Sequence, residues 1–295
     1  MATTSRQSTT ARFPERTAGV LIVALVVAAT SAALGAGAIL GPPARWAPPP
    51  VNAKVDYQIG GDYPLPRAVK VVSRDWYLGS APKGVYAVCY VNAYQTQDDE
   101  AGVDRPDERS NWPRDLVLTE LGEDPNWGGE FLVDISTKAK RARAAGWVER
   151  MVRRCAAKGF DAVEFDNLDS WTRFDGTPLG RRVPFERADA IAYAELMVDL
   201  AHRYELAAAQ KNTAGLPRQI SRGRIGFDFA IAEECGRWNE CQDYRDVYGD
   251  RVIAVEYRLD DFLKTCKGFG SRLSVVLRDV NVTAPGSKTY RYRAC

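Results

Sequence analysis

Histidine is nearly absent from this chain: its 295 residues hold one, His202, inside the helix-like run "AELMVDLAHRYEL". One remote histidine leaves no material for a Ser-His-Asp or Cys-His arrangement. Any zinc site would have to rest on thiolates alone, which an oxidising compartment disfavours. Excess charge is also missing: the formal net charge is +2, which gives no case for a nucleic-acid partner. No P-loop or dinucleotide glycine pattern follows the first apolar run, so no nucleotide loop is expected. There is neither an internal repeat nor a second linker. The expectation is therefore one catalytic or binding domain, monomeric, without metal or cofactor.

What is present starts with the N-terminus. Arg6, Arg12 and Arg16 precede the uncharged stretch "TAGVLIVALVVAATSAALGAGAIL" from Thr17 to Leu40. A basic region, an apolar region and small residues near "ALGAGA" fit a secretory signal peptide, and the stretch is also long enough for an uncleaved anchor. Either reading of residues 1–41 predicts export to the cell surface or beyond, with any membrane contact made through this segment. "GPPARWAPPPVNA" follows with five prolines in thirteen residues. Proline favours extended backbone, so residues 42–52 read as a stiff spacer. Residues 53–295 then have the length of one barrel domain.

Six cysteines in an exported chain permit disulfides. Cys235 and Cys241, in "ECGRWNEC", are close enough to staple a loop directly after a strand. Cys266 is expected to pair with Cys295. Cys89 lies in a strand-like run and Cys155 in a helix-like one, and both burial as free thiols and bonding remain open for them.

Eight apolar runs end in polar residues: "VDYQIGG", "AVKVVSRD", "VYAVCYVN", "FDAVEFDN", "LAAAQKN", "FDFAIAEEC", "VIAVEY" and "RLSVVLRD". Helical stretches at 137–158 and 186–205 separate some of them. Strands alternating with helices imply parallel strands with crossovers, an α/β protein of (β/α)8 TIM-barrel type. "GEFLVDI" at 129–135 finds no place in this count. Barrel function collects where strands end, and here those ends carry Asp75, Asn92, Asp166 with Asn167, Lys211 with Asn212, Glu233 with Glu234, and Glu256 with Tyr257. Crowded carboxylates suit glycoside hydrolysis, in which one carboxyl donates a proton and the other is nucleophile or base. They also suit oxygen-ligated metal, and Lys211 offers Schiff-base chemistry.

"KGFDAVEFDNLDSW", "QKN", "FDFAIAEEC" with its later "NEC", and "VIAVEY" resemble glycoside hydrolase family 114, the endo-α-1,4-polygalactosaminidases and related proteins. "DYQIGGDY" and "CYVNAYQTQDDE" look like variants of that family's first and third strands, which brings in Asp56, Tyr90 and Asn92. The resemblance implies a (β/α)8 barrel that cuts α-1,4-linked galactosamine polymers. It implies Asp166 and Glu233 as the catalytic pair. Glu164, Asn167, Asp169, Lys211, Asn212, Glu234, Glu256 and Tyr257 are then expected around the sugar. Asp166, neutralised by Asn167 and Lys211, is the expected nucleophile, and Glu233 the acid/base of a retaining reaction. Two departures stand out: Ala232 replaces an asparagine common before the family Glu, and "RFDGTPLGRRVPFERADA" is lengthened and basic. Alternation adds a question. If Ala230 and Ala232 point inward, Glu234 shares their face, and Glu233 reaches the site only through a bulge. The rival functions are a non-catalytic carbohydrate-binding protein on the same barrel and a lyase using Lys211.

Overall fold

The computed structural model describes residues 46–97 and 112–295. Residues 1–45, with the expected export segment and the first part of the spacer, lie outside the described residues. From Trp46 onward the spacer lies against the barrel. The Trp46 ring stacks on His202 at 3.9 Å, and its Nε1 donates to Asp228.

All eight apolar runs form strands: β1 (Val55–Gln58), β2 (Val71–Asp75), β3 (Tyr86–Asn92), β4 (Ala162–Asp166), β5 (Ala207–Lys211), β6 (Phe229–Glu233), β7 (Val252–Glu256) and β8 (Ser274–Arg278). They pair in sequence order and are all parallel. A short β9 (Tyr292–Ala294) runs antiparallel on β8 and lies against β1. The seam is sealed by a wholly buried ion pair of Arg278 with Asp56 at 3.2 Å. The α-helices among the described residues are α1 (Lys138–Ala157), α2 (Arg187–Arg203), α3 (Cys235–Trp238), α4 (Cys241–Tyr248) and α5 (Leu259–Phe269). Thr137 caps α1 by accepting from the Lys140 N–H. A Glu186–Asp189 capping box starts α2, so both of these helices begin where their first free N–H groups find an acceptor.

Side chains alternate along each strand. Val55, Tyr57, Val88, Phe229, Ile231 and Val255 fill the barrel, while Val163, Phe165, Ala230, Ala232 and Ala254 pack outward against the helices. "GEFLVDI" forms no ninth parallel strand. Leu132 and Val133 make isolated antiparallel bridges to Gln95 and Val117, which folds the excursion after β3 back over the strand ends. Cys235–Cys241 and Cys266–Cys295 are bonded as expected, and Cys89 on β3 is bonded to Cys155 on α1. Cys89 faces outward, toward α1, and that orientation makes the third disulfide possible.

Candidate active site

Strand parity selects what reaches the carboxyl ends of the strands. Ala162, Glu164 and Asp166 share the inward face of β4, as do Ala207, Ala209 and Lys211 on β5. On β6 the inward residues are Phe229, Ile231 and therefore Glu233. Ala230 and Ala232 point to the helices instead, so Glu233 needs no bulge. On β6 the large side chains fill the barrel, and the alanines leave room for the outer layer. Glu234 leaves the strand with a left-handed φ of 54° and pairs with Arg237 at 2.7 Å. Ala232 faces outward, away from the pocket.

Lys211, 1% exposed, is the centre of the cluster. Its Nζ lies 3.1 Å from Asp166 Oδ1 and 3.4 Å from Glu233 Oε2, and it donates to the Tyr57 hydroxyl at 3.1 Å. Burial alone would lower its pKa, but Asp166, Glu233 and Glu164 outweigh that and hold it well above the usual lysine value. A buried ammonium held charged by three carboxylates is poorly suited to Schiff-base chemistry, which needs the free amine. Asp166 also accepts from the Tyr90 hydroxyl at 2.9 Å and from the Asn167 N–H at 2.8 Å. Burial pushes its carboxyl up, yet Lys211 and these two donors prevail and hold it below the usual range. Glu233 is held by Asn212 on both sides: the amide Nδ2 donates to Oε2 at 2.9 Å, and Asn212 Oδ1 accepts the Glu233 N–H at 2.8 Å. The Tyr257 hydroxyl donates to its other oxygen.

Above these groups opens a pocket of about 340 Å³ whose lining includes Asp166, Asn167, Asp169, Asn212, Glu233 and Tyr257. Tyr90 lines it too. Glu164 lies beneath, fully buried, accepting from Tyr57 at 3.2 Å. Burial, with help from Asp166 and Glu233 and against Lys211, pushes its carboxyl up to about 8. Asn92 sits one layer back, with Oδ1 accepting from Asn167 Nδ2 at 2.9 Å.

Besides Glu234, two expected residues are elsewhere. Glu256 is on the outward face of β7, where it accepts from the Gly236 N–H at 2.7 Å and the Thr265 hydroxyl at 3.1 Å. Parity gives the inward place to Tyr257. Asp56 serves the seam, bonded by Arg278, Tyr63 and Gln58.

Among the pocket residues not singled out from sequence are Trp127, Glu130 and Arg173. The first two lie on the excursion after β3, whose strand-like run had no assigned place. Arg173 comes from the lengthened basic segment and reaches Asp124 at 3.0 Å and Asp169 at 3.8 Å. Burial raises the Asp169 carboxyl against that arginine. Gly180–Arg182 forms a short 3-10 turn outside the pocket.

The arrangement offers an ionised carboxylate and a second carboxyl at one pocket floor, which is the equipment of a two-carboxyl hydrolase. Among solved structures, Aspergillus fumigatus Ega3, crystallised with galactosamine, is 18% identical with a TM-score of 0.66, covering 85% of this chain and 98% of Ega3. The glycoside hydrolase domain of PelA from Pseudomonas aeruginosa, solved as a variant, is 10% identical with a TM-score of 0.51, covering 81% of this chain and 99% of that domain. At such identities these likenesses speak for the fold alone. No curated protein matches the sequence. The profile of glycoside hydrolase family GH114 matches residues 37–295, and with the fold and the paired carboxyls in place, this chain belongs to that family.

Proposed function

We propose that this protein is an exported, endo-acting hydrolase that cleaves α-1,4-linked galactosamine-containing polysaccharide, with Asp166 as nucleophile and Glu233 as acid/base. The observation that carries the reading is the single Lys211 ammonium bridging both carboxyls at the pocket floor. The substrate class follows from the family and from the galactosamine bound by Ega3. Export agrees with three disulfides, which persist in oxidising compartments.

Asp166 attacks the anomeric carbon while Glu233 gives its proton to the departing glycosidic oxygen. Water then attacks the glycosyl-Asp166 ester, returning its proton to Glu233 and freeing the carboxylate. Lys211, Tyr90 and the Asn167 N–H keep Asp166 ionised between turnovers. Because one ammonium touches both acids, Asp166 Oδ1 and Glu233 Oε2 lie at most about 6.5 Å apart. That upper bound supports retention, which uses a carboxyl spacing of roughly 5–5.5 Å, over inversion at roughly 6.5–9.5 Å.

The test is digestion of a polysaccharide panel by the mature domain, with products read by mass spectrometry and the first-formed anomer by NMR. Asp166→Asn and Glu233→Gln should each lower turnover by about 10³-fold or more with folding intact. Near-normal activity in Asp166→Asn refutes the two-carboxyl mechanism. Polymer binding without cleavage would make the chain a carbohydrate-binding protein instead.

A further inference from the structure

We propose that Glu130 distinguishes a free amino sugar from its N-acetylated form, by pairing its carboxylate with the substrate ammonium. This rests on the galactosamine reading above. Glu130 stands on the wall of the pocket that holds Asp166 and Glu233, and nothing in the two-carboxyl reaction requires it. Its Oε2 accepts from Asn92 Nδ2 at 3.0 Å. The opposite end of the Asn92 amide accepts from Asn167, the neighbour of Asp166. One amide side chain thus fixes Glu130 relative to the reacting centre.

Its turn is equally fixed. The Asp124 N–H donates to the Glu130 carbonyl at 2.7 Å. The buried Asp124 carboxylate accepts from Gln95 at 2.7 Å and faces Arg173 at 3.0 Å. The charged groups around Glu130 are therefore Asp166 on β4, Asp124 on its own turn, and Arg173 beyond β4. Arg173 is already engaged by Asp124 and Asp169. Burial, reinforced by Asp166 and opposed by Asn92, pushes the Glu130 carboxyl up to about 8, so before substrate arrives it is protonated at neutral pH.

An ammonium reverses that balance, because an opposite charge nearby favours the carboxylate. The carboxylic acid and the substrate ammonium become a carboxylate–ammonium pair, and the released proton goes to solvent. An N-acetyl group brings no charge, so Glu130 then keeps its proton. Asp169, the other acid on the wall, already faces Arg173 and is the weaker receptor.

The experiment compares Glu130→Gln with the unsubstituted enzyme on α-1,4-galactosamine oligosaccharides and their N-acetylated forms, at about pH 6.5. Expected is a loss of kcat/KM of about tenfold on the amine form and a change within about twofold on the acetylated form. Calorimetry of the same ligands with Glu233→Gln protein, in two buffers of different ionisation heat, should show proton release with the amine ligand. That release should vanish when Glu130→Gln is added. Equal losses on both substrates, no loss on either, or proton release that survives Glu130→Gln would overturn the proposal. Proton release from the amine ligand without cleavage of any galactosamine polymer by the unsubstituted enzyme would instead overturn the hydrolase reading and leave the role of Glu130 standing.

Discussion

Replacing Lys211 with methionine removes the cation that touches both acids and changes volume little. At 3.1 Å and 3.4 Å, and with an effective dielectric of about 20, each contact carries about 5 kcal/mol of Coulomb attraction. Desolvation of a wholly buried ammonium offsets much of that. What the substitution exposes is the cost of leaving buried carboxylates without a counter-charge, about 3–5 kcal/mol. For a domain of this size that is a fall in Tm on the order of 10 °C. Acidity separates this effect from lost packing. In the unsubstituted protein Asp166 is held below the usual range, so its stabilisation is present above the unfolded pKa near 4 and is lost as pH falls through the folded value. Without Lys211, burial dominates and the Asp166 carboxyl is pushed up. Its penalty is then full above the raised folded pKa and fades as acid protonates it. The destabilisation should therefore be greatest near neutrality and shrink in acid. Urea titrations of both proteins with disulfides intact, at about pH 7.5 and about pH 4.5, measure it. A loss under about 1 kcal/mol near neutrality, or equal losses at both pH values, would refute the reasoning.

Tyr90→Phe removes a donor that lowers the Asp166 pKa. The acidic limb of the kcat/KM profile should move to higher pH, whereas an unmoved limb would show that Asp166 does not govern it. Peptide mapping without reduction should find all six cysteines bonded in the pairs described. Removing the Cys89–Cys155 link, which spans 66 residues, should cost about 4 kcal/mol. Removing Cys235–Cys241, which spans 6, should cost only about 2 kcal/mol and yet reduce activity more, since it fixes the turn after Glu233. A free thiol at Cys89 would contradict the first of these.

The barrel was legible in sequence because parallel strands are buried on both faces and so read as short apolar runs. Each run also ended in polar residues where barrels keep their chemistry. Side-chain direction was harder to read. On β6 the run "FAIAE" is apolar on both faces, and hydrophobicity alone cannot say whether the alanines or Phe229 and Ile231 fill the barrel. Only the fold decides it: Phe229 and Ile231 join the interior cluster, which selects Glu233, whereas on β4 the bulky Phe165 faces outward and Ala162 inward. The same ambiguity drew Glu256 into the expected site when Tyr257 held the inward place. Glu130 escaped notice because it sits on an excursion whose pairing is two isolated bridges, with no periodicity to locate it. Asp56 matched a motif, but its partner Arg278 lies 222 residues away, and no local pattern carries that contact.

The alternation of β6 also bears on how this enzyme could be altered. Its outward alanines and inward acid answer to different neighbours, so helix packing and substrate chemistry can change independently along one strand. Resizing Ala230 or Ala232 is a matter for α4 and the layer behind it. Deleting a single residue before Glu233 is another kind of event, because it exchanges the two faces at once. It would turn Glu233 toward an apolar layer with no ammonium to meet it and leave its neighbour Glu234 to take the inward place. Substitutions in these strands are therefore the small steps open to evolution or design, and changes of length belong in the loops between them.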